Sequence, residues 1–148
     1  MKIIGLLFFI FHLSTVVSAY AVPLQSYQEL ASAVRSGERF AIVLNLQECT
    51  GDPSMPIGYF IPSKMMLIPA SALSSERIVT SDLHFTDYTG NAIYEYTKYT
   101  FNPDNSVVIR TSIYDPVTFM SIGTAHVIDC TLGKGVSITT FADQSGWE

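Results

Sequence analysis

The sequence predicts a mainly β domain of the α+β class, in which one N-terminal helix precedes an antiparallel meander that forms a curled sheet or a partly closed barrel. Three observations favour this fold. The hydrophobic period changes from helical to strand-like after Gly37 and does not change back. Turn-forming residues then separate the apolar runs at intervals typical of hairpins. Charged residues make up only 14% of the chain, and Ser and Thr carry much of its polarity, which suits half-exposed strands.

The predicted helix covers residues 27–36. Ser26 and Glu29 have the spacing of a capping box, in which two side chains satisfy free N–H groups at a helix start. Leu30, Ala33 and Val34 follow at helical intervals. Gly37 then offers the left-handed conformation that commonly ends a helix.

The strands begin at residues 40–46, where Phe40, Ile42 and Leu44 share one face. Ala41 and Val43 keep the other face apolar, which is typical of a central strand. The remaining strand candidates are residues 57–61, 64–68, 77–85, 92–101, 106–114, 119–132 and 136–141. So many strands leave sheet edges to protect, and a sheet that curls under the single helix protects them.

The first 19 residues have the pattern of a secretory signal peptide, with Lys2, an apolar run over residues 3–13 and small residues at the exit. Cleavage after Ala19 or after Ala21 fits the pattern, and we take residues 20–148 as one domain. A membrane helix would need a run of about 20 apolar residues. We therefore expect a secreted or periplasmic protein with no membrane span after cleavage.

Charge excludes one class of partner. The chain has 8 Lys and Arg against 13 Asp and Glu, which gives a net charge of −5 and no basic stripe for phosphate groups. Nucleic acid is therefore not expected as a partner. The apolar content and low net charge also exclude a disordered chain.

Cys49 and Cys130 predict one structural disulfide, because an even number of cysteines in an exported chain is typical of a bridge. A nucleophilic thiol or a metal-binding pair is the alternative. No Cys-x-x-Cys motif supports it.

Two stretches resemble the VirK family of small exported bacterial proteins. The first comprises residues 30–37 (LASAVRSG) and 40–50 (FAIVLNLQECT). The second comprises residues 81–85 (SDLHF), 93–96 (IYEY) and the turn 102–105 (NPDN), in which Asn105 stands where the family pattern has glycine. The resemblance implies secretion or periplasmic residence and an association with virulence. It implies no activity, cofactor or catalytic residue.

Asp82 and His84 are the candidate catalytic pair, since both fall on one face of a strand whose other face carries Val79, Leu83 and Phe85. A carboxylate that orients an imidazole would suit base catalysis by a small hydrolase or lyase. The alternative is a polar pair on a half-exposed strand.

His126 shares the strand parity of Ile128 and Cys130 and is predicted to be buried. Two histidines without a cysteine pair are too few for a zinc site, so we expect no metal and no cofactor.

Tyr94, Tyr96 and Lys98 share one strand face and form a candidate recognition surface for a protein, a glycan or an apolar ligand. Cross-strand packing of the tyrosines is the alternative. Because no catalytic motif stands out, the sequence favours a non-enzymatic binding or interaction protein, with the hydrolase or lyase as second hypothesis. A structural role in the cell envelope is the third.

Overall fold

A computed structural model describes residues 21–50 and 57–141. The predicted signal peptide over residues 1–19 lies outside the described residues. The described chain is mainly β with one helix, as predicted. In chain order the elements are β1 (Val22–Leu24), α1 (Tyr27–Arg35), β2 (Arg39–Asn45), a short 3₁₀ turn (Leu46–Glu48), β3 (Ile57–Phe60), β4 (Met66–Ile68), β5 (Arg77–Tyr88), β6 (Asn91–Phe101), β7 (Ser106–Tyr114), β8 (Ser121–Leu132) and β9 (Gly135–Phe141).

The strands form one mixed sheet in the order β3-β2-β9-β8-β7-β6-β5-β4, with β1 beside β9. The antiparallel meander is confirmed from β4 to β8. It does not extend to the end of the chain, because β8 and β9 pair in parallel over two residue pairs. A parallel pair usually needs a long crossover. Here a tight loop at Gly133 and Lys134 makes the connection, so the strand pattern alone could not reveal it.

The sheet is strongly curled. Its two edge strands, β3 and β4, are joined by residues 61–65 alone, which can span at most about 20 Å when fully extended. Phe60 of β3 stacks on Tyr99 of β6 with ring centroids 4.6 Å apart. The two edges are not hydrogen-bonded to each other, so the curled sheet is the correct alternative and the barrel is not closed.

Helix α1 begins and ends close to the predicted residues. Ser26 caps it by accepting a hydrogen bond from the Glu29 backbone N–H, and Gly37 follows its end with φ +73°. The Glu29 carboxylate accepts from the backbone N–H of Gln25, one residue before the expected capping-box partner. The helix buries Tyr27 and Leu30 among its inward residues.

Strands β1 and β2 differ from the sequence expectation. No apolar run predicted β1, which exists because its three residues add to the free side of β9. Strand β2 lies between β3 and β9, but Val43 on its second face is 43% exposed. The sheet is covered on one face only, so an apolar second face does not require a second layer.

The predicted disulfide between Cys49 and Cys130 is confirmed and joins the turn after β2 to β8 across 81 residues. Gly135 lies directly against it, with φ +84°. A Cβ atom at Gly135 would lie 2.5 Å from Cys49 Sγ, and L side chains rarely adopt this φ. Glycine is therefore required where β9 starts beside the bridge.

Asn105 connects three elements at the end of the β6–β7 turn. It adopts φ +65°, as its place in the turn predicts. Its Oδ1 accepts a hydrogen bond from the Tyr27 N–H at 2.7 Å, and its carbonyl accepts from the Leu132 N–H at 2.9 Å. The side chain thus satisfies one of the free N–H groups at the start of the helix.

We predict that Asn105→Gly lowers the free energy of unfolding by about 1 to 3 kcal/mol, because the Tyr27 N–H loses its acceptor while the turn keeps its φ. Asn105→Ala loses the bond and also places a Cβ without a compensating side chain in the left-handed region, at about 1 kcal/mol more. Urea denaturation measures both changes. Asn105→Asp keeps an acceptor oxygen and is the control. A glycine variant as stable as the control would contradict the prediction.

Candidate functional site

The inner face of the meander, which is the face turned toward the helix, carries the residues of the site. Cross-strand pairing arranges these residues in four rows. From the helix end outward, the rows are Ile78, Phe101, Val107 and Cys130; Thr80, Tyr99, Ile109 and Ile128; Asp82, Thr97, Thr111 and His126; and His84, Glu95, Ile113 and Ile122.

Burial falls from the first row to the fourth. All residues of the first two rows are buried, and their apolar members belong to the same core cluster as Leu30 of the helix. No residue of the third or fourth row belongs to that cluster. The main core cluster therefore ends at the second row, and the sheet continues beyond it with Thr97 and Ile93 as separate buried residues.

A cavity of about 440 Å³ lies beyond the second row. Leu44 of β2 and Leu46 of the following turn form one wall. The other wall comes from the second, third and fourth rows, and consists of Glu95, Thr97, Tyr99, Ile109, Thr111, Ile113, His126 and Ile128. The cavity thus combines apolar sides with polar groups toward its open end.

His84 lies between two carboxylates at this open end. Its Nδ1 is 3.4 Å from Asp82 Oδ2, and its Nε2 is 3.9 Å from Glu95 Oε2. The first distance is at the limit of a hydrogen bond and the second is beyond it. The His84 side chain is 50% exposed, so the imidazole remains accessible.

The third row also holds a hydroxyl pair. Thr97 Oγ1 and Thr111 Oγ1 are 2.9 Å apart, and Thr97 is buried. Each hydroxyl can both donate and accept, so one proton of the pair remains available for a further partner. The pair lies on the cavity wall between Glu95 and the core.

Tyr99 forms the inner wall of the cavity in the second row and carries a perturbed hydroxyl. Burial, followed by the negative charges of Asp82 and Glu95, raises the pKa of Tyr99 to about 12. Both carboxylates therefore act on the interior of the cavity and not only on solvent.

Asp82 and His84 share a strand face, but that face is the inner one. Leu83 and Phe85, on the opposite face, are 59% and 61% exposed. The apolar pattern of β5 therefore points outward at this end of the strand, which is contrary to the expectation of an outer polar face. The prediction that His126 is buried is wrong, because the third row lies beyond the core.

Tyr94, Tyr96 and Lys98 lie on the outer face, away from the cavity. Tyr94 stacks with Phe119 at 5.8 Å and meets Phe85 edge-on at 5.4 Å. Tyr96 is half-buried, and Lys98 is exposed opposite Arg110. Tyr94 is thus part of an aromatic cluster with Phe85 and Phe119 on the outer face.

Glu95, Thr97 and Thr111 were not singled out from the sequence. Their signal is register: Glu95 pairs with His84, and Thr97 pairs with both Asp82 and Thr111. The register is set by the length of each hairpin loop, and the apolar pattern of the sequence does not fix that length to within one residue.

Among residues 21–50 and 57–141, no three His, Cys, Asp or Glu side chains are grouped to hold a metal ion. In the same part of the chain, no helix has the length and apolar character needed to cross a membrane.

We predict that Glu95→Gln lowers the pKa of Tyr99 below its value of about 12, because one of the charges that raises it is removed. Absorbance titration of tyrosinate measures this, in a Tyr27→Phe background because the Tyr27 pKa is also about 12. Tyr99→Phe identifies the phase.

The same pKa predicts a pH dependence of stability. Between pH 10 and 12 the folded chain keeps the Tyr99 proton while the unfolded chain loses it, so the free energy of unfolding falls as pH rises. Asp129→Asn, on the outer face, is the control for Glu95→Gln and should leave the pKa of Tyr99 unchanged. An equal shift of the Tyr99 pKa in Glu95→Gln and Asp129→Asn would contradict the assignment of that effect to the Glu95 charge.

Comparison with known proteins gives one family. A family model described as VirK protein matches residues 23–119. A crystal structure of a VirK family protein from Legionella pneumophila is similar at 27% identity and a TM-score of 0.70, over 80% of this chain and 98% of that one. No curated protein matches. The sequence match over most of the chain and the shared fold lead to the same result, and the chain belongs to the VirK family.

Proposed function

We propose that this protein is an exported binding protein that holds a small, partly apolar ligand in the cavity of its inner face. The lining of this cavity carries the proposal, and its volume of about 440 Å³ falls within the roughly 300 to 1,000 Å³ of ligand pockets. Leu44, Ile109 and Ile128 supply apolar walls, while Glu95 and the Thr97–Thr111 pair supply a few polar groups. Such a combination is typical of small-molecule sites.

Export supports this function and is itself part of the proposal. A disulfide persists in oxidising compartments, and the Cys49–Cys130 bridge fits secretion or periplasmic residence. The apolar run of residues 3–13 supplies the signal. An association with virulence is what the family resemblance implies. The mass of the exported chain, cut after Ala19 or after Ala21, tests the export step.

We predict saturable, one-to-one binding of a neutral apolar dye, N-phenyl-1-naphthylamine, measured as a rise in its fluorescence. His126→Trp places a large ring on the cavity wall and is expected to weaken binding about tenfold, or about 1.4 kcal/mol.

Val127→Trp is the matched control, because Val127 is the next residue, is also exposed and points to the outer face. Binding is expected to stay within about twofold of the unmodified protein, which corresponds to less than 0.5 kcal/mol. An absence of saturable binding, or an equal loss in both variants, would count against the cavity as the site.

A small hydrolase or lyase that uses His84 with Asp82 is the second candidate. The observation that favours it is the position of His84 on the inner face, between Asp82 and the cavity-lining Glu95. The Asp82 carboxylate beside Nδ1 can orient the imidazole and leave Nε2 available as a general base.

We predict for this candidate that any turnover found with a panel of chromogenic esters and glycosides falls about a hundredfold or more in His84→Ala. Dye binding by the same variant shows whether the cavity is intact. Unchanged turnover in His84→Ala, or no turnover by the unmodified protein across the panel, would remove the enzyme hypothesis.

The outer face with Tyr94, Tyr96 and Lys98 stays a predicted partner surface. Contacts of Tyr94 with Phe85 and Phe119 support packing as its main role.

A further inference from the structure

We infer that the cavity selects an amphipathic organic cation, with an apolar body against the second row and an ammonium or similar head beside Asp82 and Glu95. This inference rests on the proposed function and names the ligand class of the same site. Three features of the structure carry it: the distribution of charge across the sheet, the lack of a hydrogen bond from any described residue to the Glu95 carboxylate, and the shape of the apolar wall.

Charge is segregated between the two faces of the meander. On the inner face, Asp82 and Glu95 occupy the third and fourth rows. Among the described residues, no Lys or Arg lines the cavity. The nearby cations are Lys98 and Arg110, which lie opposite each other on β6 and β7. Both lie on the outer face, because successive side chains alternate between the two faces of a strand. The open end of the cavity is therefore acidic.

The Glu95 carboxylate has room for a ligand donor. No hydrogen bond from a described residue reaches it, and His84 Nε2 is 3.9 Å away. Its side chain is 33% exposed and lines the cavity. A partly desolvated carboxylate attracts a cation more strongly than one in bulk water does, because the effective dielectric constant is lower.

Tyr99 shows that this charge reaches inward. The charges of Asp82 and Glu95 are, after burial, the causes of its raised pKa. A charge distribution that opposes formation of a tyrosinate anion at the cavity wall also opposes an anionic ligand there, and it favours a cationic one.

The apolar wall fits the remainder of an amphiphile. Leu44, Leu46 and Ile128 line the cavity next to Tyr99. Along the strands, the second and fourth rows are four residues apart, which corresponds to about 13 Å. An extended apolar chain can lie along this length with its head at the fourth row.

Three probes with the same decyl chain test the inference: decyltrimethylammonium, decanol and decanoate. Each is added as a competitor of bound N-phenyl-1-naphthylamine at neutral pH, the two charged probes below their critical micelle concentrations and decanol below its solubility limit. We expect the cation to displace the dye at a concentration about tenfold lower than decanol, and decanoate to be the weakest, as a difference of about 1.4 kcal/mol would produce. The preference should shrink as salt is added.

Glu95→Gln removes the charge and keeps the shape. It is expected to abolish most of the cation preference, measured as the ratio of the displacing concentrations of decanol and decyltrimethylammonium. Asp129→Asn removes an outer-face carboxylate as the matched control and should keep the preference. Asp82→Asn provides a second inner-face variant, should Glu95→Gln fail to fold by circular dichroism.

The outcomes separate the two proposals. Displacement by decanol with no advantage for the cation, or a preference that survives both inner-face substitutions, overturns the cation inference and leaves the binding function standing. If the dye does not bind or no probe displaces it, the binding function fails and the inference fails with it.

Discussion

The strands of the meander are much longer than the helix that covers their inner face, and the other features of the structure depend on this difference in length. Helix α1 has 9 residues and is only about 14 Å long, whereas β5 and β8 have 12 residues each and extend about 40 Å. A cover this short can bury only part of the inner face. The buried part becomes the core of the first two rows, and the cavity wall runs from the second row over the third and fourth.

Long-range ties are concentrated at the covered end. The Cys49–Cys130 bridge fixes the turn after β2 to β8, and Gly135 makes room for it. Asn105 connects the β6–β7 turn to the start of the helix. Across the same end, Glu76 accepts a hydrogen bond from the Tyr27 hydroxyl and pairs with Arg35. The open end is held by strand pairing and by the Phe85, Tyr94 and Phe119 contacts. The cross-links that hold the core are thus separate from the end that carries the cavity.

Polarity follows the same division. Carboxylate groups on the inner face begin beyond the second row, where the core cluster ends, and Lys98 and Arg110 lie on the outer face. A carboxylate in the first two rows would have been buried without a partner, which costs several kcal/mol. Beyond the second row the cavity remains open to water, so Asp82, Glu95 and His84 can be accommodated there, and the charges of Asp82 and Glu95 still act on Tyr99.

The sequence by itself determined the α+β class, helix α1, most of the strands and the disulfide. These depend on local signals: period, capping at Ser26, turn chemistry at Asn105 and a pair of cysteines. Only the tertiary structure decided which face of β5 is inward, that β8 and β9 pair in parallel, and that His84 lies on the same inner face as the cavity-lining residues Glu95 and His126. The physical reason is that alternation shows that two strand faces differ without showing which is covered. The inner face is covered by α1, β2 and β9, which are distant from β5 along the chain. The covered part of that face ends where these three elements end.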